Sequence, residues 1–115
     1  MKRYDESTGR LAVLGRLPVA VVGEAGLVGL LLDRDFERTQ QLYLYFSPAR
    51  DSGQRRLSRF TLTARDSIDA ASEVVLMRWP FDVTSHMGGG MTWDAQGNLY
   101  LTTGDNSQAT QYNPV

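Results

Sequence analysis

The chain has 115 residues, a formal net charge of −1 and no cysteine. Its length allows one domain at most, and its composition excludes disulfides, thiolate metal sites and a cysteine nucleophile. A nearly neutral surface exerts no long-range pull on nucleic acid or on an anionic membrane, so neither is expected as a partner.

Met1 to Glu6 mix charges of both signs with no apolar core behind them, so no signal peptide is read there. Lys2 to Tyr4 and Leu11 to Leu14 flank a Ser7-Thr8-Gly9 turn and are expected to pair. The apolar run from Leu17 to Leu32 is broken by Gly23, Glu24, Gly26 and Gly29. A membrane helix needs about 20 nearly uninterrupted apolar residues, so the run is not one. Leu27 to Leu32 reads as a strand buried on both faces, with Leu30 and Leu32 in the core.

Leu42 to Phe46, Leu57 to Thr63 and Val74 to Trp79 read as further strands, with Leu44 and Phe60 buried and Arg50 to Gln54 in an exposed loop. Acids are interspersed among Arg50, Arg55, Arg56 and Arg59, which read as a solvated face. The strongest helical stretch, Asp66 to Ala71, is too short to count. Gly90 to Trp93 and Leu99 to Thr102 form a last pair. The Asp94-Ala-Gln-Gly-Asn98 turn between them suits a type I turn followed by a left-handed residue. Trp79, Trp93, Tyr43, Tyr45 and Tyr100 are read as strand packing rather than as a platform for a sugar ring.

The chain repeats itself. Gly29-Leu-Leu-Leu-Asp33 aligns with Gly90-Met-Thr-Trp-Asp94, and each is followed, after a turn, by Leu-Tyr-Leu at 42–44 and at 99–101. With two strands between the copies, the unit is four strands with an inner strand rich in glycine and apolar residues, the pattern of a propeller blade. The expected fold is all-β, a partial propeller. Residues 1–25 are read as the tail of one blade, 26–82 as a complete blade and 83–115 as the first half of the next. Two strands of that last blade are still owed at Asn113-Pro114-Val115, so the chain is expected to be a fragment. The open edge of Leu99 to Thr103 is then expected to drive self-association.

The only histidine, His86, precedes a glycine run on a loop, where it can be held against a ligand. Asp105-Asn106-Ser107 reads as an Asx-type turn at a strand end; one carboxylate is thin for calcium. Glu24 reads as a surface acid that approaches the same end of the fold.

Four blocks resemble the glucose/sorbosone dehydrogenase family of soluble quinoprotein sugar dehydrogenases. They are Gly26 to Phe36, Leu42 to Pro48, Arg56 to Leu62 and His86 to Asn106. The resemblance implies a six-bladed propeller that uses pyrroloquinoline quinone (PQQ) and calcium to oxidise the anomeric carbon of a small-molecule sugar, in a periplasmic or secreted setting. It assigns His86 as the general base that takes the anomeric proton while hydride passes to the quinone. It places Gly88 and Gly89 where cofactor or sugar approaches the backbone, and Asp105 and Asn106 at the border of the pocket, as cofactor-binding candidates; no metal ligand is assigned. Many relatives carry an acid or a cysteine beside the histidine, where this chain has Thr84 and Ser85. The family's arginine and lysine contacts to the quinone and its calcium ligands fall mostly beyond residue 115. The chain alone is therefore expected neither to retain PQQ and calcium nor to turn over sugar. Two other readings stand beside the enzyme: a non-catalytic propeller module that binds carbohydrate or protein, and an inactive truncated remnant.

Overall fold

The structure, a computed structural model, describes residues 1–51, 53–63, 67–80 and 85–105. It is built from three antiparallel sheets and one turn of helix. Strands β1 (Lys2–Asp5) and β2 (Arg10–Val13) form a hairpin, from Lys2 opposite Val13 to Asp5 opposite Arg10. The Asp5 carboxylate closes its turn by accepting bonds from the Ser7 hydroxyl and from the N–H groups of Ser7 and Thr8. Among the described residues no helix is long and apolar enough to cross a membrane.

The main sheet is a meander of β3 (Leu27–Leu32), β4 (Gln41–Phe46), β5 (Gln54–Leu62) and β6 (Ile68–Pro80) in sequence order. Every residue from 42 to 48 is buried, because β4 lies between β3 and β5 and is covered on both faces. On one face Leu42, Leu44 and Phe46 form the core with Phe60 and Leu62. On the other, Tyr43 meets Trp93 edge-on at 5.1 Å and Tyr45 stacks on Trp79 at 5.4 Å. Tyr43, Tyr45, Trp79 and Trp93 thus pack strands together as their strand positions suggest, whereas Tyr100 is exposed.

The last sheet, β7 (Gly88–Trp93) paired with β8 (Leu99–Thr103), stands against β3. The Trp93 indole N–H donates to the Leu32 carbonyl at 3.0 Å, and Arg34 donates to the Ala95 carbonyl at 3.2 Å. A Cβ on Gly29 would sit 2.5 Å from the Gly89 carbonyl oxygen, so only glycine allows the two sheets this close.

The sequence repeat is also a structural one. In the first copy Leu30, Leu31 and Leu32 oppose Leu44, Tyr43 and Leu42; in the second Met91, Thr92 and Trp93 oppose Leu101, Tyr100 and Leu99. The inner strand of each copy carries a bulge near its start. Both turns use the same fastening: the Tyr43 hydroxyl donates to Asp33 at 3.2 Å, and the Tyr100 hydroxyl to Asp94 at 3.1 Å. The Asp33 N–H donates to the Gln41 carbonyl and the Asp94 N–H to the Asn98 carbonyl, each at 3.0 Å.

Several expectations need correction. Leu44 and Phe60 are buried, but Leu30 and Leu32 are 49% and 45% exposed. They sit on the edge strand and face a cavity of about 410 Å³, shared with Lys2, Arg3 and Leu14, that no side chain fills. The segment 50–54 is not uniformly exposed: Asp51 and Gln54 are half-buried, Gln54 opens β5, and Ser52 lies outside the described residues. The basic bunch is not a solvated face, since Arg55 is 2% exposed and Arg56 bridges Asp51 and Glu73. Ile68 to Ala71 belongs to β6, which is twice as long as its apolar centre suggests, while Asp66 lies outside the described residues. The helical turn α1 (Phe36–Thr39) was not foreseen; the Asp33 carboxylate organises it by accepting from the Asp35 N–H and the Thr39 hydroxyl.

A histidine and carboxylate at the strand ends

His86 stands just before β7, and Asp105 stands just after β8, so the hairpin brings together residues that are far apart in sequence. The His86 Nδ1 lies 3.0 Å from Asp105 Oδ1, with the two side chains 47% and 60% exposed. An ionised carboxylate only accepts, so Nδ1 carries the hydrogen. In a neutral ring the lone pair is then on Nε2, the tautomer a proton acceptor needs. Nothing beside His86 in sequence provides such a carboxylate, and Thr84 lies outside the described residues. The hairpin supplies it from the other strand, and a partner of this kind orients an imidazole.

The glycines around this pair are explained by close backbone packing. Gly88 has φ 70°, and a Cβ there would lie 2.7 Å from the Gly104 nitrogen and the Thr102 oxygen. Gly89 has φ 118° and would collide with the Val28 carbonyl. Gly104, not singled out from sequence, is the most constrained: a Cβ there would overlap the His86 carbonyl. Asn106 lies outside the described residues.

Met87, between the histidine and the glycines, is 3% exposed. Its N–H donates to Glu24 Oε2 at 3.4 Å, and its carbonyl accepts from the buried Tyr45 hydroxyl at 3.2 Å. Arg55 Nη1 donates to that hydroxyl at 3.4 Å. Sequence reasoning placed Tyr45 in the packing and Arg55 on the surface. The one available hint was that Arg55 falls on the same face of β5 as Leu57, a face the strand buries.

A histidine that is accessible, held in a defined tautomer and mounted at the strand ends of a partial propeller is equipped to accept a proton from a bound hydroxyl. No group of three or more His, Cys, Asp or Glu gathers to hold a metal ion among the described residues. Glu24 accepts from the Met87 N–H and Asp105 stands against the His86 ring, while Arg55 is buried behind Tyr45.

The glucose/sorbosone dehydrogenase family profile matches residues 1–114, and the chain belongs to that family. Aldose sugar dehydrogenase YliI of Escherichia coli is 24% identical over 112 residues, 94% of this chain and 30% of that protein. The PQQ-bound form of the aldose sugar dehydrogenase of Streptomyces coelicolor superposes with a TM-score of 0.79 and 27% identity, covering 93% of this chain and 32% of that one. A Thermus thermophilus protein described as a putative oxidoreductase (glucose dehydrogenase) gives a TM-score of 0.74 and 28% identity over 90% of this chain and 30% of its own. The chain therefore spans about a third of the length of these relatives.

Proposed function

We propose that this chain contributes the general base to a PQQ-dependent aldose dehydrogenase, with His86 accepting the proton of the anomeric hydroxyl. The 3.0 Å contact between His86 Nδ1 and Asp105 carries the reading, because it fixes the tautomer and orientation a base requires while leaving the ring half-exposed. PQQ, when bound, supplies the acceptor for the two electrons that leave the sugar as hydride. The chain's own part is acid–base: Asp105 stabilises the imidazolium that forms as His86 takes the proton, and Gly88 and Gly104 let the loop lie tight against the end of β8.

The test is dye-linked glucose oxidation by the longest polypeptide encoded with this chain, loaded with PQQ and calcium. His86→Ala is expected to lower kcat by about 10²–10⁴-fold, the usual worth of a positioned base. Asp105→Asn is expected to lower it by about 10–100-fold, as loss of an orienting partner does. An unchanged rate in His86→Ala would return the residue to a structural role. Residues 1–115 alone, given the same additions, are expected to show no rate above buffer; saturable turnover would show that they hold the cofactor after all.

A further inference from the structure

His86 has φ 54°, in the left-handed region that a residue with a side chain adopts only where its surroundings impose it. What imposes it is visible one residue on. In the first copy of the repeat the carbonyl of Gly26 accepts from the Ser47 backbone N–H at 2.9 Å, continuing the ladder beyond the strand ends. Gly26 and Met87 are equivalent, since Leu27 opposite Phe46 corresponds to Gly88 opposite Thr103. At Met87 the carbonyl instead accepts from the Tyr45 side chain, and the N–H is taken by Glu24. The backbone is thus released from strand geometry just where the histidine projects, and side chains from β4, β5 and the loop before β3 replace the ladder.

We propose that Glu24, Tyr45 and Arg55 are positioning residues for His86: they clamp the two peptide groups of Met87 and so fix the backbone from which the imidazole reaches Asp105. The proposal rests on the reading of His86 as the base. Tyr45 suits the task because it is fully buried and stacked on Trp79 with the rings 20° apart, which leaves its hydroxyl little freedom. A hydroxyl that accepts from a guanidinium is polarised into a better donor, which gives Arg55 its part. A buried phenol and a buried cation are costly where apolar side chains would fill the same space. Their chain of bonds ends on the residue after the histidine.

The chain's single histidine makes the test direct, because its ring nitrogens give unambiguous signals in a long-range 1H–15N spectrum of residues 1–115. Wild type is expected to favour Nδ1–H at a pH where the ring is neutral. Tyr45→Phe and the surface change Glu24→Ala are each expected to lower the Nδ1–H to Nε2–H ratio about fivefold, the worth of one ordinary hydrogen bond. Glu24→Gln, whose amide oxygen still accepts, is expected to restore it. Tyr43→Phe, which loses the comparable bond to Asp33, is expected to leave the ratio at its wild-type value. A ratio unmoved by both Tyr45→Phe and Glu24→Ala would overturn the clamp alone. A wild type with no Nδ1–H preference would overturn the His86–Asp105 pair and the clamp with it.

Discussion

The two copies of the repeat share a register and a fastening, yet they differ in burial and in what stands at their open ends. In β3–β4 the outer strand is buried: Leu42 is 1% exposed, Leu44 0% and Tyr43 8%. In β7–β8 the equivalent Leu99 and Leu101 are half-buried and Tyr100 is 55% exposed. The side chains hardly differ, so the neighbours decide: β4 has a strand on each side, whereas β8 pairs with β7 alone among the described residues. The second difference lies at the open ends of the hairpins. Where the first copy has Ala25, Leu27, Ser47 and Pro48, the second has His86, Gly88, Gly104 and Asp105. On a common scaffold, the strand ends of the second copy carry the His86–Asp105 pair.

The largest expected effect tests the difference in burial. Leu44→Ala should cost about 2–5 kcal/mol, as deletion of a fully enclosed leucine does, whereas Leu101→Ala should cost about 1 kcal/mol. Urea denaturation of the two variants measures both, and equal losses would mean that burial does not separate the copies. Next comes placement of first-copy residues at those strand ends. Gly88→Leu forces a branched side chain into φ 70° against the Gly104 and Thr102 backbone, and strain of this kind costs about 1–3 kcal/mol. Gly104→Ser should push the His86 carbonyl away and break the contact with Asp105 without unfolding the main sheet. Intact far-ultraviolet dichroism with loss of the Nδ1–H signal is the expected combination; a retained signal would show that the loop accommodates a Cβ.

The smallest effect compares the two fastenings. Burial pushes the Asp33 carboxyl up, but the bonds from the Asp35 N–H and the Thr39 and Tyr43 hydroxyls, with the charge of Arg38, outweigh it and hold the group below 3.8. At Asp94 the Asn98 side-chain amide is the leading cause of a shift in the same direction. A carboxyl depressed in the folded state adds stability above its unfolded value and loses it as pH falls through the folded one. The deficit of Asp33→Asn relative to wild type should therefore be full at pH 7 and close as pH falls below 3.8. Asp94→Asn should show a smaller deficit that closes in the same way. A deficit at Asp33 that stays constant down to acid unfolding would show that the bond pattern, rather than the charge, matters there. On the alkaline side, burial and then the bond to Asp33 raise the Tyr43 phenol above 10.0. Its contribution is therefore complete below that value and lost as pH climbs through the raised one.

Much of this was legible from local pattern. The bounds of β3 follow from an unbroken apolar run ended by Asp33, and the last hairpin from a turn whose Gly97 takes φ 95°. The repeat predicted the matching registers, because side-chain period and turn position fix strand pairing. What escaped depends on tertiary neighbours. The first half of β6, Ile68 to Glu73, shows no alternation because its side chains are largely exposed or half-buried along an edge. Leu30 and Leu32 carry the composition of a core strand without the neighbours that would make them core. At the site, His86 was legible as a loop histidine before glycines. Its carboxylate was sought beside it in sequence and came from across the hairpin. Arg55 was misread because charge spacing along a chain does not reveal which face of a strand is covered.

The irregularity of β6 has a consequence for the edge that the main sheet presents. β6 is thirteen residues long, pairs only with β5 among the described residues, and exposes Val74, Leu76 and Met77. A straight edge of that kind would nucleate fibres. Its pairing slips twice, with Leu76 left out between the partners of Leu57 and Ser58, and again between Val74 and Asp69. At the second slip the Ser72 hydroxyl replaces the backbone, accepting from the Thr61 N–H and donating to the Asp69 carbonyl. A strand kinked in this way offers no continuous row of groups in step with those of a second chain.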